Sequence, residues 1–109
     1  MPIAQCFVDA RLVAGGENPV ELWRDESGIA CDEMTINIIS SGQQFGKPYP
    51  VIARLMLPSL WPPPQVSALQ TGLARALARH FDLETAQVLV ITQMVESGLV
   101  VDNGQEINW

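Results

Sequence analysis

The sequence is poor in charged residues. Only 17% of its 109 residues are charged, whereas 48% are hydrophobic, and soluble domains usually carry about a quarter of charged residues. A short chain with so few charges has apolar surface left to bury against another subunit. We therefore expect one domain, spanning the whole chain, that forms a homo-oligomer.

Basic residues are the scarcest of the charged groups. Six lysines and arginines stand against twelve aspartates and glutamates, which gives a formal net charge of −6. A surface of this sign repels the phosphates of nucleic acids and the headgroups of anionic membranes. We therefore expect neither as a partner. A small anionic substrate stays compatible with the composition, because individual arginines rather than the net charge would bind it.

The chain also has few potential metal ligands and no long apolar run. Its two cysteines, Cys6 and Cys31, and its single histidine, His80, show no metal-binding spacing. We expect no metal, no cofactor and two ordinary buried thiols. No basic segment precedes an apolar run at the start, and no apolar run approaches the ~20 residues of a membrane span. A cytoplasmic location is the default expectation.

The second half of the chain has the clearest pattern. Three prolines open a segment in which apolar residues recur at helical spacing, so residues 62–81 are predicted to form a helix. Gly72 within it costs about 1 kcal/mol relative to alanine, which favours close packing at that point. Strands are predicted at 51–57 and at 87–95, the latter apolar enough to be covered on both faces. Strand, helix and strand with short joints indicate a right-handed crossover between parallel strands. The apolar residues of the helix are Val66, Leu69, Leu73, Leu77 and Phe81.

The first half repeats this order in a weaker form. Strands are predicted at 1–8 and 34–38, and between them Asn18-Pro19 starts at most one or two helical turns within 20–25. The chain therefore divides into a degraded first βxβ unit, 1–48, and a βαβ unit, 49–109. We expect an α/β (α+β) fold with a four-stranded mixed sheet, one main helix and a degraded first helix. One unit alone would have too little sheet to be stable.

Several short segments resemble the tautomerase superfamily. The opening Pro2-Ile3-Ala4-Gln5 is similar to that of 4-oxalocrotonate tautomerase, and Arg11 falls within one residue of a substrate-binding arginine there. Residues 50–53, 69–81 and 90–94 resemble its first strand, helix and second strand. The length is closer to that of two-unit members such as macrophage migration inhibitory factor.

The resemblance implies an activity and an assembly. Removal of Met1 would free the Pro2 amine to act as general base and acid on a small enol or α-keto/unsaturated acid, in a tautomerase or a related lyase or dehalogenase. Arg11 would bind the substrate carboxylate, and three chains would form a trimer. Val88 and Leu89 stand where the family often has a second arginine. The alternative is therefore a catalytically silent oligomeric binding or scaffold protein.

Arg54 is a candidate that the strand pattern itself provides. It lies in the middle of the predicted strand 51–57, on the same face as Ile52 and Met56. A charged side chain in such a place is costly when it is buried without a partner. Arg54 should therefore emerge at a sheet edge, pair with an acidic group or line a pocket, and we take it as a second candidate substrate-binding residue.

Overall fold

The computed structural model describes all 109 residues. The elements in chain order are β1 (Ile3–Asp9), α1 (Pro19–Ser27), β2 (Thr35–Ser41), β3 (Val51–Pro58), α2 (Pro63–Phe81), a single 3₁₀ turn (Thr85–Gln87), β4 (Val88–Val95), β5 (Val100–Asp102) and β6 (Gln105–Ile107).

The first four strands form one mixed sheet in the order β2-β1-β3-β4. β1 is parallel to β2, antiparallel to β3, and β3 is parallel to β4. Each parallel pair is joined through a helix, and both helices pack on the same face of the sheet. The predicted fold class, α+β with a four-stranded mixed sheet, is confirmed.

Alternating residues of β1 and β3 build the core on the helix-covered face. Every second residue of these two strands is buried, and the side chains of α2 that face them are fully buried. Burying one such leucine contributes about 1.5–3 kcal/mol relative to leaving it exposed. The predicted helix and its apolar stripe are therefore present, and α2 ends in Asp82 with a left-handed backbone. The core residues concerned are Ala4, Cys6, Val8, Val51, Ala53, Leu55, Leu57, Leu69, Leu73 and Leu77.

The two helices touch closely at Gly72. A Cβ atom at this position would lie 2.7 Å from the backbone nitrogen of Ser27 at the end of α1. Nearby, the indole N–H of Trp23 donates a hydrogen bond of 2.9 Å to the carbonyl of Leu69. The close packing predicted at Gly72 is found, and it is packing against the first helix.

The first helix is longer than the sequence analysis predicted. It has nine residues rather than one or two turns within 20–25. The Asn18 side chain accepts a hydrogen bond of 2.9 Å from the N–H of Val20, as expected of an N-cap. At the other end Gly28 adopts φ 71° and its N–H bonds to the carbonyl of Arg24. Gly28 is the end signal that the prediction did not use.

The sheet face opposite the helices is left uncovered by the chain. Directly paired residues share a face, so Phe7, Ile39 and Ile52 lie together on it, and Arg54 lies beside Ile91. Ile91 is 53% exposed. The expected covering of the last long strand on both faces is therefore not provided within one chain. Neither helix is long and apolar enough to span a bilayer.

A short hairpin, β5–β6, closes the chain. Its turn residues Asn103 and Gly104 have φ of 54° and 76°, the left-handed pair that a tight two-residue hairpin requires. Trp109 then folds back, and its indole N–H donates to the Ser59 hydroxyl at 2.9 Å. The hairpin is thereby held beside the ends of β3 and β4.

Candidate active site

Pro2 lies immediately before β1 and is fully buried. Its carbonyl oxygen accepts a hydrogen bond of 3.0 Å from the N–H of Thr35, the first residue of the parallel strand β2. On the other side of β1, Ile3 is paired with Met56 of β3. The position of Pro2 is therefore fixed by the two strands that flank β1.

An apolar cavity of about 320 Å³ lies at this end of the sheet. Its walls come from the start of β1, the ends of β3 and β4, and the hairpin strand β5. All of its lining side chains are hydrophobic or proline, and none of them is charged. The lining residues include Met1, Ile3, Met56, Pro58, Val95 and Val100.

A second cavity, of about 400 Å³, shares Met1, Ile3, Val100 and Val101 with the first and is more polar. Glu33 and Asp102 are the only ionisable side chains that line it. No arginine, lysine or histidine lines either cavity. The amino-terminal ammonium group of Met1 is therefore the only cation among the residues that line these two cavities.

The amino terminus is paired with Glu33. The Met1 ammonium nitrogen lies 3.3 Å from the Glu33 Oε2 atom. The Met1 side chain is 20% exposed, and the Glu33 side chain is 72% exposed. With Met1 in place the Pro2 nitrogen is a peptide nitrogen and has no basicity. Only the chain without Met1 can offer a proline amine at this site.

Arg11 lies at the opposite end of β1 from Pro2. Seven strand residues at 3.3–3.4 Å each place the two about 20 Å or more apart within one chain. The Arg11 Nη2 and Nε atoms donate to Asp9 at 2.7 and 3.1 Å. These side-chain hydrogen bonds lower the pKa of Asp9 to about 2, and Asp9 raises the pKa of the guanidinium. Arg11 lines a separate cavity of about 270 Å³ with Ser41 and Tyr49.

Arg54 lies on the uncovered face in the middle of β3. Because β3 is an interior strand, Arg54 does not reach a sheet edge, and it takes part in no ion pair. Met56, two residues further on the same face, lines the apolar cavity. Two strand residues span about 7 Å, which a guanidinium can bridge. Arg54 is thus an exposed arginine on the cavity's own face of the sheet.

Comparison with known proteins rests on structure alone. No family model matches the sequence, and no curated protein matches it. A fused 4-OT described as a symmetric trimer has a TM-score of 0.75 at 12% identity, over 95% of this chain and 94% of that chain. Pt0534, described as inactivated by 2-oxo-3-pentynoate, has a TM-score of 0.68 at 12% identity, over 97% of this chain and 94% of that chain. Macrophage migration inhibitory factor of Toxoplasma gondii has a TM-score of 0.66 at 12% identity, over 96% of this chain and 99% of that chain.

These neighbours are tautomerase-superfamily proteins. The chain has the tautomerase-superfamily fold. At such low identity the likeness lies in the backbone arrangement, and the side chains of the site have to be judged on their own. Within this fold Pro2 is buried immediately before β1, an interior strand of the sheet.

Other nucleophilic or metal-binding groups of this tautomerase-fold chain lie elsewhere. Cys6 points into the core, and burial raises the pKa of its thiol to about 12, so it is neutral and a weak nucleophile. Cys31 is only partly buried, contrary to the expectation that both thiols are internal. His80 places Nδ1 2.9 Å from the Glu17 carbonyl oxygen and packs edge-on against Phe81.

Two parts of the site were missed by the sequence analysis. The hairpin strand β5 forms one wall, and its signal was the Asn103-Gly104 pair between two short apolar segments. Glu33 was not among the site residues predicted from the sequence. No pattern within the sequence indicates that it meets the amino terminus, because that contact depends on the parallel pairing of β1 and β2.

Proposed function

We propose that this protein is a tautomerase-like enzyme. After removal of Met1, the Pro2 amine takes a proton from a small enol or α-keto/unsaturated acid and returns it at another atom of the substrate. The observation that carries the proposal is the complete burial of Pro2, whose chain neighbours Met1 and Ile3 line an apolar cavity of about 320 Å³. This volume suits a small-molecule substrate.

The surroundings of Pro2 suit a general base. An α-amino group has a pKa near 8 in model peptides, and apolar walls penalise its charged form. A neutral secondary amine at neutral pH is then available to remove a proton, and the ammonium formed returns it.

We propose that Arg54 holds the substrate carboxylate. It lies on the same face as Ile3 and Met56, which line the cavity, and its guanidinium is in no ion pair. A guanidinium can bind a carboxylate through two parallel hydrogen bonds. Arg11 is too distant within one chain, so its proposed role in substrate binding requires that a second copy supply it.

We also propose that the protein is a homo-oligomer, most simply a trimer. The uncovered face carries apolar side chains of all four long strands, of which Ile39 and Ile91 are exposed, and a fused 4-OT among the structural neighbours is described as a trimer. Sedimentation at micromolar concentration should give about three chain masses. Ile91→Glu on this face should shift the distribution to monomer, whereas Thr71→Glu on the exposed side of α2 should not. A monodisperse wild-type monomer contradicts the assembly.

The decisive experiment compares the protein with and without Met1. Intact mass identifies the two forms, and retention can be enforced by inhibiting methionine aminopeptidase during expression. We expect only the clipped form to ketonise phenylenolpyruvate, since an amide nitrogen cannot accept the proton. 2-Oxo-3-pentynoate, an activated alkyne that accepts amines, should add its mass only to the clipped form. Equal rates in both forms would refute the proposal.

The second candidate function is a catalytically silent oligomeric binding or scaffold protein. It is favoured by the absence of any arginine from the walls of the two cavities and by Val88 and Leu89 at the start of β4. On this alternative the clipped protein assembles normally but neither ketonises enols nor reacts with the alkyne.

A further inference from the structure

We propose that Glu33 is a positioning residue for the amino-terminal amine. Its carboxylate is the counter-ion of the terminus, with Oε2 3.3 Å from the Met1 nitrogen. The inference rests on the proposed function, in which the amine becomes that of Pro2. Glu33 then stabilises the ammonium that forms when Pro2 takes the substrate proton, and it acts through the amine without touching the substrate.

The backbone keeps Glu33 beside the terminus after Met1 is removed. The Thr35 N–H is bonded to the Pro2 carbonyl at 3.0 Å, and Met34 is anchored in the core with 6% exposure. Successive backbone nitrogens are at most about 3.7 Å apart. The Pro2 nitrogen therefore lies within about 7 Å of an Oε2 atom that is 3.3 Å from the Met1 nitrogen, and the exposed side chain can turn toward it.

The other groups that face the amine leave this role to Glu33. The adjoining segments of β1, β3 and β4 present only apolar side chains to the cavities. From β2 comes the uncharged Thr35, and from β5 comes Asp102, which makes no contact with the terminus. The apolar walls favour the neutral amine, and Glu33 opposes them by favouring the ammonium. The balance between the two keeps the amine able both to accept and to release a proton.

The test is a titration of the clipped protein with ¹⁵N-labelled proline, read at the Pro2 amine by NMR. Glu33→Gln removes a negative charge beside the ammonium, so the pKa of the amine should fall, by roughly half a pH unit at low salt. The difference should shrink at high salt because Glu33 is exposed. In the enol assay the kcat of Glu33→Gln should fall, because its carboxamide has no charge with which to stabilise the ammonium. Its KM should stay near the wild-type value.

The matched control is Asp102→Asn, which removes the same charge from the same cavity without a contact to the terminus. Its shift should be less than half that of Glu33→Gln, and Glu33→Asp should restore part of the wild-type value. An unchanged pKa of the Pro2 amine in Glu33→Gln, or equal pKa shifts in Glu33→Gln and Asp102→Asn, would overturn the inference. The titration needs no substrate, so an inactive clipped protein would refute the proposed function and leave this result readable.

Discussion

The two β-α-β units of the chain follow the same course but are built differently. In the first, β1 and β2 are joined through a helix of nine residues; in the second, β3 and β4 are joined through one of nineteen. Each unit is entered through a proline, Pro2 in the first and Pro50 in the second. Only Pro2 can become an amine. The second unit therefore supplies most of the packing, whereas the first supplies the chain terminus and its counter-ion.

The shorter helix compensates for its length with large side chains. Leu22 and Trp23 of α1 are 2% and 0% exposed, and both belong to the core that contains the leucines of α2. Capping at both ends of α1 satisfies backbone groups that a short helix would otherwise leave without partners. The first unit is therefore shortened but fully packed.

The largest expected effect separates the two prolines. In the clipped protein, Pro2→Ala replaces a secondary amine by a primary one, and kcat/KM on phenylenolpyruvate should fall by roughly 10²–10⁴. Pro50→Ala keeps the carbonyl that accepts from the Asp9 N–H at 2.9 Å, and its rate should stay within about twofold. Comparable losses in the two variants would mean that Pro2 acts only as a strand-start residue.

The next effect compares the cores of the two units. Leu73→Ala in α2 should lower the free energy of unfolding by about 2–5 kcal/mol, because both transfer and cavity terms are lost. Leu22→Ala in α1 should fall in the same range despite the shorter helix. Leu99→Ala, at 74% exposure, should change stability by less than about 0.5 kcal/mol. Chemical denaturation measures the free energy of unfolding of all three variants. A change of less than about 0.5 kcal/mol in Leu22→Ala would show that the first unit adds little to the core.

The same contrast explains how far the sequence could predict the structure. The apolar spacing of α2 and the alternation of β1 and β3 are local patterns with a strong period, so those elements are found where the sequence predicts them. α1 was predicted too short because Gly28, its end signal, follows a polar segment with little periodicity. The Glu33 contact arises from strand pairing over thirty residues of sequence, which no local pattern can predict. The uncovered face results from both helices packing on the other side of the sheet.

The smallest expected effect concerns the pair at the far end of β1, where the first unit meets the second. Hydrogen bonds from Arg11 place the pKa of Asp9 at about 2, against an ordinary 3.8. Since the folded value is the lower one, the pair stabilises the fold above about pH 3.8, and this contribution is lost as the pH falls toward 2. The pair is exposed, so the gain in stability is small. NMR titration of the Asp9 carboxyl should show the low midpoint, and Arg11→Ala should return it toward the ordinary value. If Arg11 of a neighbouring copy binds the substrate, a saturating substrate analogue should draw Arg11 away from Asp9 and raise the Asp9 midpoint in the oligomer. An Asp9 midpoint that is unchanged by saturating analogue would contradict a role for Arg11 in substrate binding.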